Sequence, residues 1–273
     1  MCESPNPRWP EMENTVTVEV PQASARTRHF FPWMAAALAV AVLWGFAPTY
    51  FLRAFITTRD LSLLLHVHGF VFSCWIALFI AQTMLVAKHR TDIHRRLGLV
   101  GVVVAAAVVA IGIEVGIAGM GPARRAAWEA LDGPLASFAF LAMGNPGNPM
   151  IFGFLVTGAM WWRRQRDTHK RLMLVACLAI MDAPMARLLD DFGWPIMLTP
   201  RGFVGEGNFY RVLSSVISPA GFENLNVLPF FIALVIYDVV KMKRLHAATL
   251  VGGVVLFLFQ PFFRSVSSQI AGS

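Results

Sequence analysis

The chain has 273 residues, of which 56% are hydrophobic and only 14% charged, against about a quarter charged in a usual soluble domain. Its net charge of +7 sits in short basic clusters between apolar runs. That distribution belongs to membrane-protein loops and argues against a nucleic-acid-binding face.

In chain order, residues 1–28 are polar and carry Glu3, Glu11, Glu13 and Glu19; they read as a disordered tail. The apolar stretch that follows is too long for a signal-peptide core, and no small-x-small cleavage site comes after it. Seven apolar runs then occupy roughly 30–52, 62–87, 97–120, 146–162, 171–189, 225–240 and 247–263. A span needs about 20 apolar residues. The expected fold is therefore all-α, a polytopic transmembrane bundle of about seven helices over 29–264, with a short tail at 265–273. The fourth and sixth runs are short, which leaves six helices as the alternative. The fourth alternatively begins near Pro134 and breaks at Asn145-Pro146-Gly147.

Lys and Arg decide the orientation. The tail and the segments Lys88–Arg96, Arg163–Arg171 and Lys241–Arg244 hold 15 of them, and the opposite side holds 8. The richer side, with the N-terminus, is expected in the cytoplasm. The largest outer loop, Asp190–Glu223, is rich in glycine, proline and aromatics and reads as an interfacial loop or lid. Trp33, Trp161 and Trp162 read as interfacial belt residues. The third run is rich in Gly and Ala, which permit close helix approach, and it is expected at the middle of the bundle. Cys74 and Cys177 fall within apolar runs and read as small buried hydrophobes; with Cys2 they form no C-x-x-C motif and suggest no disulfide framework.

Two junctions repeat one pattern. Asp92-Ile-His94-Arg95-Arg96-Leu97 aligns with Asp167-Thr-His169-Lys170-Arg171-Leu172, and Arg244-Leu245-His246 is a weaker third copy. In one reading, Asp92 and Asp167 are first-turn acids, the following Arg and Lys residues meet anionic headgroups, and the His residues are polar interface groups. In the other, His94, His169 and His246 cluster to bind a metal, a haem or a quinone headgroup.

Ionisable residues inside a span are costly and mark sites by default. His66 and His68 lie at the outer end of the second run, about 200° apart on a helix. They cannot share one metal ion, and one of them is expected to face the bundle. Gly69 beside them would admit a close helix or a flat ligand. Asp182 and Arg187 stand about 20 Å and 27 Å along a regular helix from His169. Pro184 between them frees the Ile180 carbonyl. With Glu114, these residues make an outer-half polar list, read either as an ion pair between helices or as a ligand or proton site. Gln82, Thr83 and Gln260 are isolated, and Met173, Met181 and Met185 read as packing filler.

The stretch His66-Val-His68-Gly69, Trp75, Gln82 and His94-Arg95-Arg96-Leu97-Gly98, with His169-Lys170-Arg171-Leu172-Met173-Leu174, resembles a pattern in multi-pass bacterial inner-membrane proteins of unassigned function. The resemblance covers about 60–190 and implies an inner-membrane location. The chain is more loosely similar to cytochrome-b-type membrane proteins, which implies haem b between histidines of neighbouring helices, here His94 and His169. A similar His-Arg-x-Leu-Met element occurs in small membrane proteins that assist terminal-oxidase assembly. A retinal protein is excluded, because the last run has no Lys for a Schiff base. Three functions stay open. One is a redox-linked protein binding haem, a metal ion or quinone through His66, His68, His94, His169 and His246, with a respiratory-chain partner. Another is a proton-coupled carrier using Glu114, Asp182, Arg187 and His66. The third is a non-catalytic assembly subunit. No hydrolase motif is present.

Overall fold

The computed structural model describes residues 29–52, 60–130, 146–190 and 224–271, with a few isolated positions between them. The N-terminal tail, Cys2 and the loop over 191–223 lie outside the described residues. Among the described residues all regular structure is helical. In chain order the helices are α1 Phe30–Phe46, α2 Leu63–Ala87, α3 Thr91–Ala118, α4 Pro122–Glu129, α5 Gly147–Trp161, α6 Arg166–Ala179, α7 Asp182–Asp190, α8 Leu228–Met242 and α9 Ala247–Ala271. Each of the seven apolar runs is helical. Among the described residues two helices, α2 and α3, with 25 and 28 residues, are long and apolar enough to cross a membrane.

Local sequence sets the boundaries. Ser62 caps α2, its hydroxyl accepting from the Leu65 amide at 3.3 Å, as a good N-cap should. A tight turn with His89 at φ 59 reverses the chain into α3, whose first turn carries Asp92. Pro48 stands at the start of a π-helical turn, Ala47–Phe51, that ends the first run; a proline cannot continue the α-helical hydrogen-bond ladder. Lys243 at φ 56 closes α8. The last helix continues to Ala271, beyond the expected end at Phe263.

The centre of the bundle is not the Gly/Ala-rich α3 but α6. Every side chain from Leu174 to Ala179 is fully buried, and α6 contacts α1, α5, α8 and α9. On α3, Leu99 and Val103 are exposed. Its small residues serve two flanking neighbours instead, α2 and most closely α5. A Cβ on Gly112 would lie 2.6 Å from Pro149 Cγ, and one on Gly116 would lie 2.8 Å from the Pro146 nitrogen.

The fifth run is not one helix. It breaks at Ile180–Met181 between α6 and α7, so the straight-helix spacing from His169 to Asp182 and Arg187 does not hold. The break follows from Pro184: with no N–H, it cannot bond the Ile180 carbonyl one turn back. α1 crosses closely here, since a Cβ on Gly45 would sit 2.3 Å from the Pro184 carbonyl oxygen.

Candidate functional site

Three polar constellations stand out among the described residues. The first joins the start of α6 to the end of α8 and the start of α9. The Arg171 and Asp238 side chains are both fully buried and pair directly: Arg171 Nε and Nη2 donate to Asp238 Oδ1 at 2.8 and 2.5 Å. Asp238 Oδ2 accepts from the Thr249 hydroxyl at 2.5 Å and the His246 amide at 3.2 Å. Arg171 Nη1 reaches the Asp167 carbonyl at 2.8 Å and its carboxylate at 3.3 Å. The Arg171 guanidinium also lies 5.7 Å from the centre of the Tyr237 ring, which stacks on Phe30 at 4.2 Å. Both charges are thus bonded on several sides, the condition under which a buried ion pair is tolerated. Arg171 therefore does not meet headgroups: it is an interior residue.

His246 belongs to this knot. Its Nδ1 accepts from the Ala248 amide at 3.1 Å, capping α9. Burial and then the Arg171 charge hold its imidazole below the usual histidine range. Asp167 hydrogen-bonds Lys170, which lowers its carboxyl below the ordinary aspartate range. The expected three-histidine cluster is therefore not assembled, because the third repeat copy spends its histidine on the knot.

The second constellation brings the first two copies together. The His94 and His169 rings are 6.4 Å apart between centres and nearly perpendicular, at 85°. His169 Nδ1 bonds the Ala159 carbonyl at 2.8 Å, which leaves Nε2 as the lone-pair nitrogen. His94 lies against the Gln82 backbone, and its Nδ1 is buried without a partner. Gln82 Oε1 is likewise buried and unpartnered, and its amide nitrogen is the nearest atom to a Cβ built on Gly98, at 3.8 Å.

The third lies at the α6–α7 break. Asn226 Nδ2 donates to the Asp182 carboxylate at 2.6 Å and its carbonyl at 3.0 Å. Arg187 does not pair with Asp182. It donates to the Ala183 carbonyl at 3.1 Å and lies over Phe46 at 4.8 Å, so the expected ion pair between helices is not made. His68 packs on Phe72 with ring centres 4.0 Å apart. His66 and Glu114 are exposed and join no site. The close approach expected at Gly69 is filled by Tyr50, whose ring would meet a Cβ there at 2.6 Å.

Asp238, Thr249, Asn224 and Asn226 escape sequence reasoning. Asp238 meets the criterion that singles out Asp182, an acid inside an apolar run. The two asparagines carry no such signal, because they are uncharged and stand at the edge of the run, Asn224 just before it and Asn226 at its second position. Compared with protein-family models, curated proteins and solved structures, the chain matches none.

Proposed function

We propose that this chain is a multi-pass inner-membrane protein with seven spans and a cytoplasmic N-terminus, and that it holds a redox-active metal between His94 and His169, as a bare ion or as haem b iron. The membrane reading rests on an inverted surface. Leu63, Phe70, Leu99, Val103 and Phe154 are exposed while Arg171, Asp238 and Gln260 are buried. In water such a chain would leave large apolar area unpaired, whereas in a bilayer the same faces meet lipid.

The observation that carries the metal reading is the meeting of His94 and His169 at 6.4 Å. Two imidazoles bonded at about 2.0 Å to opposite sides of one ion have ring centres about 6 Å apart, and at a tetrahedral ion about 5 Å. The carbonyl bond on His169 Nδ1 is the outer-shell contact that orients a ligating imidazole, and neutral imidazole is the form that binds iron, copper or zinc. The electrons would come from a quinone or a respiratory-chain partner.

The test is an absorption spectrum of the detergent-purified protein, oxidised and dithionite-reduced, with metal analysis of the same sample. A Soret band with sharp reduced α and β bands identifies haem; about one metal per chain without those bands identifies a bare ion. His94→Ala and His169→Ala should each lower occupancy at least tenfold, as His66→Ala should not. A colourless, metal-free protein that takes up neither haem nor added copper, iron or zinc sinks the reading.

A further inference from the structure

We infer that the groove between α8 and α9 binds one anionic phospholipid of the cytoplasmic leaflet, with an acyl chain in the groove and the phosphate at the turn Lys243–Arg244. The inference rests on the membrane reading above and is independent of the metal. An open groove of about 310 Å³ lies between the two helices. Phe231 and Val235 of α8 line one wall, and Leu250, Val254 and Leu258 of α9 line the other; their four-residue spacing makes one stripe. At one end the groove reaches Leu245, the residue after Arg244. Away from the turn, Phe231 leans across to α9. Its ring takes the room that a Cβ on Gly253 would need, at 2.5 Å, and stands edge-on to Phe257 at 5.2 Å.

The lining selects a hydrocarbon chain. Among the described residues its one polar side chain is Thr249, whose hydroxyl is spent on Asp238 at 2.5 Å. A quinone ring seated here would find no donor for its oxygens, whereas an acyl chain needs none. Leu250, Val254 and Leu258 stay 53%, 56% and 42% exposed, so the bundle itself leaves the stripe uncovered. From Thr249 to Leu258 the stripe runs about 14 Å along α9. That is the hydrocarbon depth of one leaflet, about 15 Å. A helix from a second copy would cross both leaflets and find only half its length matched.

Charge selects the headgroup. Lys243 and Arg244 are adjacent and exposed. Among the described residues neither has a carboxylate within ion-pair distance. Asp238, the acid nearest in sequence, is occupied by Arg171, Thr249 and the His246 amide. Lys243 itself holds the turn, at φ 56. Two uncompensated cations therefore stand at the mouth of an apolar groove, on the side that the proposed topology puts in the cytoplasm. Their long stems let the charges reach the headgroup layer, and basic sites between membrane helices on that side hold anionic lipid headgroups.

The experiment titrates the full-length, delipidated chain in detergent with phosphatidylglycerol or phosphatidylcholine of identical acyl chains, read by native mass spectrometry. Phosphatidylglycerol should saturate one tight site per chain and bind about thirtyfold tighter than phosphatidylcholine, as two basic residues at the surface allow. Lys243→Gln with Arg244→Gln should remove that preference. Val254→Trp, or Leu250→Trp should the first fail to fold, fills the groove and should weaken both lipids about tenfold, the worth of about two buried methylenes. Arg163→Gln with Arg164→Gln, an exposed basic pair on another loop, should change neither lipid. Equal or unsaturable binding of the two lipids by the wild-type chain overturns the inference. So does an equal loss of preference in the Arg163/Arg164 variant, which marks general charge attraction, or undiminished binding in both groove-filling variants. Quinone in place of phospholipid in an extract of the purified protein overturns it, as does a dimer that Val254→Trp dissolves. The membrane reading is tested apart, by washing membranes with alkaline carbonate: release of the chain sinks that reading, whereas a retained chain without lipid preference sinks this inference alone.

Discussion

Arg171 and Asp238 illustrate what one residue costs in this interior. Removing either partner leaves a buried charge without its counter-charge, a loss of about 3–5 kcal/mol. Arg171→Met and Asp238→Leu should each lower the unfolding midpoint in detergent sharply, while the double variant should recover most of the loss, because an apolar pair has no charge to desolvate. Equal damage in the double variant would mean that the other bonds of Asp238, to Thr249 and the His246 amide, carry the stability. His246 supplies a pH effect of definite sign. Its folded value lies below the ordinary 6.5, so the unfolded chain binds the extra proton first. Stability should therefore fall as pH drops below about 6.5 and level off once the folded imidazole also protonates. His246→Gln should remove that component. Asp167 acts at lower pH: its depressed carboxyl stabilises the fold above the unfolded aspartate value, and the contribution is lost as pH falls through the folded one.

At the scale of elements, the crossing of α1 over the α6–α7 break depends on a missing side chain. A Cβ on Gly45 would meet the Pro184 backbone at 2.3 Å, and backbone cannot move aside as a flexible side chain can. Gly45→Ala should destabilise by about 1–3 kcal/mol, while Gly121→Ala, with nothing within 4 Å of its built Cβ, should change the unfolding midpoint little. The same argument reaches Gly112 and Gly116, where α3 receives Pro149 and Pro146 at the start of α5. The richness of α3 in small residues is thus an adaptation to its two flanking helices, α2 and α5, not the mark of a central helix.

For the whole molecule, the proposed topology makes a direct prediction. In a background with Cys2, Cys74 and Cys177 replaced, Arg164→Cys should react with an impermeant thiol reagent only in inside-out vesicles. Arg125→Cys should react only in right-side-out cells. Labelling of both positions from the same side would remove one span between them and favour the six-helix alternative.

Hydropathy alone locates the seven helical runs, because a run of apolar side chains has few ways to satisfy its backbone other than a helix. The repeated junction motif singles out His94 and His169, and Pro184 announces the broken helix. What packing alone decides is which faces meet. The histidines of the first two repeat copies come together and that of the third does not. Arg171, one residue in a basic cluster, turns inward because Asp238, 67 positions away, awaits it on α8. Asn226 reaches Asp182, and Asn224 the Leu256 carbonyl, only once α7, α9 and the turn before α8 are assembled. Periodicity and composition act over a few turns of one helix, whereas charge pairing and ligand geometry depend on distances between helices that no local pattern encodes.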